Sequence, residues 1–191
     1  MTLYLDIETQ NDWQSGESSK IEDQRVSYVG VIDQDNNEYD FWEQDMDKLY
    51  ELLKKASAIV HYNGFTFDMP ILANYMGEDV LNLPQIDLMV ALKEQIGFRP
   101  KLDDVAMATL GKGKIGSGAD AIAYWKTGDL ENLRKYCLVD VQVTKDVHLH
   151  GLETGKVRYF DKAGFLIETP IDWELGRNKP QPKQEKPLTL F

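Results

Sequence analysis

The chain begins Met1-Thr-Leu-Tyr-Leu-Asp6-Ile-Glu8, and this segment predicts the strand on which the rest of the fold is built. Apolar residues alternate with more polar ones from Thr2 to Ile7, which is the period of a strand with one face buried. The polar run 9–12 is expected to end this strand. Asp6 and Glu8 stand two residues apart, so their side chains should leave the strand on the same side.

Two carboxylates held side by side repel each other, by roughly 4 kcal/mol at about 4 Å in a partly screened site. A divalent metal ion would offset this repulsion directly, because carboxylate oxygens are its natural ligands. The alternative is a solvated strand end. An Asp-x-Glu pair is so common that, taken alone, it favours this alternative.

Length and composition indicate one domain of ordinary globular character, with 191 residues, 42% hydrophobic and 28% charged. Cys137 is the single cysteine, which excludes an intrachain disulfide and a cysteine-built zinc site. The sequence has no basic leader followed by an apolar run, and no apolar stretch approaches the length of a membrane span. We therefore expect a cytoplasmic protein without a membrane partner.

The formal net charge of −11 argues against a nucleic-acid partner, but the charge is unevenly distributed. Residues 1–55 carry a net −9, whereas residues 97–116 carry +2 and residues 177–191 carry +3. An acidic body with local basic segments is compatible with weak, salt-dependent binding of a strand end. It is not compatible with coating long duplexes.

The pattern after the first strand predicts a mixed α/β sheet. Residues 26–32 and 38–42 are expected to form a β-hairpin, 45–55 an amphipathic helix, and 58–60 a short buried strand. This order is an antiparallel meander followed by a crossover to a parallel strand, with helices on the faces of the sheet.

The rest of the chain is predicted to be mostly helical, ending in a hairpin and a polar, proline-rich tail. The predicted helices cover 88–95, 102–110, 118–126 and 129–148, with Asp129 as the N-cap of the last one. Two strands over 156–160 and 165–169 are expected to form the hairpin.

Two further segments carry polar residues at positions typical of a site. Asp68 closes the run His61-Tyr-Asn-Gly-Phe-Thr-Phe-Asp68, beyond a strand next to the first one, where open sheets bind ligands. Its alternative role is helix N-cap. Tyr136 and Asp140 are four apart on a helix and share one face beside an apolar stripe. Their alternative is a surface aspartate with a packed tyrosine.

Together these segments resemble the three exonuclease motifs of the DEDD superfamily, and the Tyr-x-x-x-Asp form is similar to its DEDDy branch. The resemblance implies a ribonuclease-H-like fold over residues 1–150, with the hairpin extension 151–176 and the tail 177–191 outside it. It also implies catalytic residues from all three motifs: Asp6, Glu8, Asp68, Tyr136 and Asp140.

In such a site the carboxylates hold two Mg²⁺ or Mn²⁺ ions about 3.5–4 Å apart. The resemblance assigns Asp6, Glu8 and Asp140 to the ion that activates water, and Asp6 with Asp68 to the ion at the departing 3′ oxygen. Tyr136 would orient the water, because a tyrosine hydroxyl with a pKa of about 10 is a poor base.

Substrate contacts are expected from residues near the second motif. Phe65 and Phe67 are candidates to stack on terminal bases, although core packing is the alternative for each. Asn63 is a candidate to bind sugar or phosphate. Basic side chains that would guide the strand, or only increase solubility, are Arg99, Lys101, Lys112 and Lys114.

The tail ends in Pro187-Leu188-Thr189-Leu190-Phe191, whose large apolar residues suggest a short binding motif. The ending resembles the bacterial sliding-clamp-binding pentapeptide Gln-Leu-Ser/Asp-Leu-Phe, with Pro187 in place of Gln. Leu188, Leu190 and Phe191 would then contact the clamp. The alternative is that these side chains fold back on the body.

The resemblance therefore predicts a 3′→5′ exonuclease that acts on single-stranded DNA ends with two divalent metal ions. One alternative is an exoribonuclease that trims RNA 3′ ends, since nothing in the motifs distinguishes the sugars. Another is an inactive nuclease-like module recruited by its tail. A structure-specific endonuclease is less favoured, because the Tyr136 motif has no evident purpose there.

Overall fold

The computed structural model describes residues 1–11, 20–113 and 118–178. Its strands are β1 Thr2–Thr9, β2 Val26–Asp33, β3 Glu38–Trp42, β4 Ala58–His61, β5 Gln85–Asp87, β6 Lys156–Phe160 and β7 Leu166–Pro170. Its helices are α1 Met46–Leu53, α2 Asp68–Met76, α3 Leu88–Ile96, α4 Leu102–Leu110, α5 Gly118–Thr127 and α6 Leu130–Thr154. The first two residues of the predicted flexible tail 177–191 are ordered instead: Arg177 forms an antiparallel bridge with Ile86, and Asn178 Oδ1 accepts a hydrogen bond from the Gln85 N–H. The rest of the tail, with Leu188, Leu190 and Phe191, lies outside the described residues, as does Lys114.

The central sheet has five strands in the order β3-β2-β1-β4-β5. Strands β1, β2 and β3 pair antiparallel, whereas β4 pairs parallel to β1 and to β5. The predicted mixed α/β sheet with an antiparallel meander, parallel strands and flanking helices is therefore confirmed. Strand β5 was not predicted, because three residues of which only Ile86 is strongly apolar give no periodic signal.

Strand β1 is buried on both faces, so the prediction of one buried face was wrong. Leu3, Leu5 and Ile7 belong to the core cluster formed with α1 and α2. Tyr4 belongs to the cluster on the opposite face, formed with α3 to α6. Since helices cover both faces, the alternation in β1 separates two cores rather than a core from solvent.

Helix α6 lies across the sheet against β1 and β2. At Gly30 of β2, a Cβ atom would stand 3.1 Å from Leu138 Cδ2 and 3.2 Å from Cys137 Sγ. The missing side chain lets the helix approach the sheet closely. Asp129 accepts a hydrogen bond from the Asn132 N–H at 3.3 Å, which confirms the predicted N-cap.

A buried lysine fixes the same helix to the turn after β2. Lys145 is fully enclosed, and its Nζ donates to the Asp33 carbonyl at 2.5 Å and to Asn36 Oδ1 at 2.8 Å. Because a buried ammonium group must be satisfied by such partners, these bonds hold α6 in one position along the sheet.

The C-terminal hairpin of β6 and β7 packs against α4 and α6. Val157 is buried in the core on that side of the sheet. Within the described ranges, no helix is both long and apolar enough to span a lipid bilayer.

Candidate active site

The site begins with the carboxylates of β1. Ligand atoms of Asp6, Glu8 and Cys137 all lie within 4.8 Å of one another. Asp6 is half-buried and Glu8 is buried. The pairing of β1 with β2 shifts register between Glu8 and Thr9, an irregularity that re-aims the end of a strand. The predicted convergence of Asp6 and Glu8 on one side of the strand is therefore what the structure contains.

Asp68 reaches β1 from the neighbouring side. Strand β4 pairs with β1 only as far as Tyr4, so the last part of β1 is not paired with β4. The buried Asp68 carboxylate accepts a hydrogen bond there from the backbone N–H of Ile7, the residue between Asp6 and Glu8. Asp68 is the first residue of α2, and Phe67 occupies the N-cap position.

Burial raises the pKa of Asp68 to about 6, against the opposing effects of nearby His61 and of backbone N–H groups. The negative charge of Asp87 acts in the same direction as burial. An added positive charge, such as a bound metal ion would supply, would stabilise the ionised form of this buried carboxylate.

Helix α6 carries Tyr136 and Asp140, and each is only 7% exposed. Between them, Cys137 donates its S–H to the Asp6 carbonyl at 3.4 Å. Burial raises the pKa of the Cys137 thiol well above its usual value, and the charges of Asp6, Glu8 and Asp140 raise it further. Those three carboxylates therefore surround one buried thiol.

The donor set favours a hard divalent cation over zinc or copper. Its carboxylate oxygens are the ligands preferred by Mg²⁺ and Mn²⁺. Cys137 donates its S–H to the Asp6 carbonyl, and burial raises the pKa of its thiol, so its soft sulfur suits such a cation less well than the carboxylate oxygens do. Among the described residues, the 4.8 Å group does not include Asp68, the first residue of α2, or Asp140 of α6.

The motif loop, His61–Asp68, is held by an aspartate that sequence reasoning missed. The buried Asp87 carboxylate accepts hydrogen bonds from the backbone N–H groups of Asn63 at 2.9 Å and Phe65 at 3.0 Å. It also caps α3 by accepting from the Met89 N–H at 3.0 Å. An aspartate directly before a predicted helix was the available signal.

We expect Asp87→Asn to lower the free energy of unfolding by about 2–4 kcal/mol at neutral pH. Bonds to a charged acceptor contribute about 1.5–3 kcal/mol each, and an amide accepts at one oxygen only. Urea unfolding measures the loss. Asp104→Asn, an exposed change of the same kind on α4, should leave the stability unchanged.

The stability difference at Asp87 should also depend on pH. Burial opposes its ionisation, but His61 and the N–H donors of the motif loop hold the pKa of Asp87 below its usual value. Because the pKa of Asp87 is lower in the folded protein than the value of about 3.9 in the unfolded chain, ionised Asp87 stabilises the fold above that pH. This stabilisation is lost as the pH falls through the pKa of Asp87 in the folded protein. A difference between wild type and Asp87→Asn that does not shrink below about pH 4 would contradict this role.

The two phenylalanines of the motif loop have different surroundings. Residues 64–67 form a turn rather than a strand, so alternation does not place the rings on one face. Phe67 packs against the core between the sheet and α1 and α2. Phe65 is half-buried and meets the His61 ring edge-on, with centroids 5.1 Å apart. The structure therefore leaves Phe65 as the better stacking candidate.

The polar residues that were predicted to contact the substrate lie in the motif loop, in the loop before α4 and just after α4. Asn63 has a left-handed backbone (φ 67°), and its Oδ1 accepts from Thr66 Oγ1 at 2.8 Å and from the Arg99 guanidinium. Lys101 and Lys112 are exposed at the two ends of α4. Of these residues, Asn63 and Arg99 are thus joined by a hydrogen bond.

Comparison with known proteins agrees with this architecture. The chain is similar to the family B DNA polymerase of the hyperthermophilic archaeon Pyrobaculum calidifontis, with a TM-score of 0.63 and 20% sequence identity. The match covers 79% of this chain but only 24% of the polymerase, so the likeness concerns the fold of one part of that enzyme. No curated protein matches. A family profile matches residues 3–149, and the chain therefore belongs to the RNase_H superfamily.

Proposed function

We propose that this chain is a cytoplasmic 3′→5′ exonuclease that hydrolyses single-stranded DNA with two Mg²⁺ or Mn²⁺ ions. The supporting observation is the pair of carboxylates Asp6 and Glu8 at the end of β1, to which carboxylates from two distant segments are linked through Ile7 and Cys137. Asp68 binds the backbone between Asp6 and Glu8, and the charge of Asp140 acts on the thiol that contacts Asp6. The DEDDy motifs resemble this set, and membership of the RNase_H superfamily supports nuclease chemistry.

The proposed ligands divide between two positions. Asp6, Glu8 and Asp140 would hold one ion, and Asp6 with Asp68 the other. When bound, such ions activate a water molecule and stabilise the departing 3′ oxygen. Four ionised carboxylates carry −4 and balance two divalent ions, so the loaded site accepts a phosphate without net repulsion. The low exposure of Asp68 and Asp140 keeps bulk water from screening these charges.

Tyr136 would act through its hydroxyl, which orients the attacking water. It stands one helical turn before Asp140 on the same face of α6. The close approach of α6 at Gly30 supports this role, because it brings Cys137, which lies between Tyr136 and Asp140 in the sequence, to Asp6. Phe65 at the mouth of the motif loop would stack on the terminal base.

Matched DNA and RNA oligonucleotides test the activity and its sugar preference. We expect 5′-labelled single-stranded DNA to shorten stepwise in Mg²⁺ or Mn²⁺, with RNA cut more slowly. The likeness to a DNA polymerase and the clamp-like tail support DNA. Circular single strands should survive. Faster loss of RNA would favour the exoribonuclease, cleaved circles an endonuclease, and intact linear strands of both kinds an inactive module.

If the tail binds a sliding clamp, its removal should affect clamp binding but not nuclease activity. Deleting residues 187–191 removes Leu188, Leu190 and Phe191 and should abolish co-elution with a bacterial sliding clamp. Activity on bare oligonucleotides should not change, because the deletion removes none of the proposed catalytic residues. Tethering to a clamp would compensate for weak electrostatic binding by raising the effective concentration of DNA. Unchanged co-elution of the shortened chain would reject the clamp as a partner.

A further inference from the structure

The C-terminal segment, residues 173–178, runs from the hairpin back to β5, the edge strand of the central sheet. The backbone N–H of Asn178 donates to the Gln85 carbonyl at 3.1 Å, and Asn178 Oδ1 accepts from the Gln85 N–H at 2.9 Å. The side-chain amide of Asn178 also donates to the carbonyls of Leu81 at 3.3 Å and Leu83 at 2.8 Å. Both polar atoms of this side chain therefore hold the segment against β5 and the turn before it.

Gln85 connects the C-terminal segment to the motif loop. Its buried side-chain amide donates to two carbonyls of the turn before β5, at 3.0 and 3.2 Å, which leaves Oε1 to accept from His61 Nε2 at 3.1 Å. The other ring nitrogen of His61 accepts from the Gly64 N–H at 3.2 Å, and the Gly64 carbonyl accepts from the Met69 N–H at 2.9 Å. Met69 directly follows Asp68, so these hydrogen bonds lead from the C-terminal segment to a proposed metal ligand.

The same segment also packs against the backbone of Asp87. A Cβ atom at Gly176 would overlap the Asp87 carbonyl oxygen, so the absence of a side chain permits this close approach. The Asp87 carboxylate accepts from the N–H groups of Asn63 and Phe65 in the motif loop. The C-terminal segment therefore contacts both residues of β5, Gln85 and Asp87, on which the motif loop depends.

The start of the segment is attached to α6. The Trp173 indole N–H donates to the His148 carbonyl at 3.0 Å, and Trp173 is only 4% exposed. Helix α6 also carries Tyr136 and Asp140. The segment thus links the helix that supplies one part of the proposed site to the loop that ends in Asp68.

We propose that the C-terminal segment is a positioning element of the nuclease site, in which Asn178 and Gly176 act on Asp68 through the motif loop. The inference rests on the proposed function and extends it, because residues 173–178 lie beyond all three exonuclease motifs. Partners behind the metal ligands fix the orientation of those ligands, and their loss typically weakens metal binding. The nuclease unit then extends past residue 150 to Asn178.

Amide hydrogen exchange in the full chain without metal tests this role. Asn178→Ala should raise the exchange rates of the Asn63, Gly64 and Phe65 amides about tenfold or more, because their acceptors Asp87 and His61 are no longer held. The amides of β2 should exchange as in the wild type. A role in overall stability alone would raise exchange in both sets, since both would then open by global unfolding.

Arg177→Ala is the matched control, because Arg177 is exposed and its side chain pairs with Glu174 inside the segment. It should leave both sets of amides unchanged. Gly176→Ala approaches the same contact by adding a methyl group, and it should raise exchange in the motif loop as Asn178→Ala does. Wild-type exchange in Asn178→Ala overturns the positioning role, as does an equal increase in the motif loop and in β2.

The metal requirement separates this inference from the proposed function. Asn178→Ala should need about tenfold more Mn²⁺ for half-maximal turnover and should recover most of kcat at saturating Mn²⁺. A selective rise in motif-loop exchange, in a protein that never cleaves, would sustain the segment as the support of this loop and reject the exonuclease. Cleavage by the wild type, with unchanged exchange and an unchanged Mn²⁺ requirement in Asn178→Ala, would sustain the exonuclease and reject the positioning role.

Discussion

Replacing Asp140 by alanine is expected to reduce turnover of single-stranded DNA by roughly 10³-fold or more. Metal ions stabilise transition-state charge by several kcal/mol, and about 1.4 kcal/mol corresponds to a factor of ten in rate. Asp140 is buried beside the thiol that contacts Asp6, so its loss removes a carboxylate that water cannot replace. Asp6→Ala and Asp68→Ala should have the same effect.

The measurement has two parts. Gel assays give turnover, and calorimetry with Mn²⁺ gives metal binding, which each of these alanine variants should weaken. Asp146→Ala is the matched control, because Asp146 lies on the same helix and accepts a hydrogen bond from Gln142 rather than facing β1. Circular dichroism confirms that each variant folds. Wild-type turnover in Asp140→Ala would show that the metal ligands are assigned wrongly.

Tyr136→Phe is expected to lower kcat about a hundredfold with little change in KM. The substitution removes only the hydroxyl, and a positioned catalytic group typically contributes about 10²–10⁴-fold. Since the ring remains in the core beside Leu133 and Cys137, the helix should keep its position. The decrease in kcat then measures how much the hydroxyl contributes by orienting the attacking water.

A pH profile distinguishes orientation from proton removal at Tyr136. If the hydroxyl only orients water, Tyr136→Phe should lower the rate by the same factor at every pH. Tyr124→Phe, a half-buried tyrosine of α5 packed against the same core, serves as the control and should keep full activity. Unchanged kcat in Tyr136→Phe would remove it from the catalytic set.

Periodicity predicted most of the architecture because most elements are long enough to repeat their pattern. Strand β5 is the exception, and with it the role of Asp87 was missed. Its three residues become a strand by pairing with β4, which no local pattern encodes. Alternation in β1 could not show that Tyr4 faces a second core, since helices from the second half of the chain supply that core.

The end of α6 was also misjudged, since the helix continues to Thr154 rather than ending at residue 148. Gly151 resembles a helix stop signal in the sequence. In the fold it lies inside the helix, where a Cβ atom would stand 2.6 Å from the Trp173 ring. The glycine makes room for a side chain that follows it by more than twenty residues, which is a tertiary requirement.

The contact between Cys137 and Asp6 joins residues 131 positions apart. During synthesis, the ribosome must therefore deliver about three quarters of the chain before Asp140 joins Asp6 and Glu8. Until then the nascent polypeptide has the first two acidic groups but not the helix that completes the proposed site. Under the proposed function, a newly made chain would therefore lack nuclease activity until the last long helix has covered its sheet.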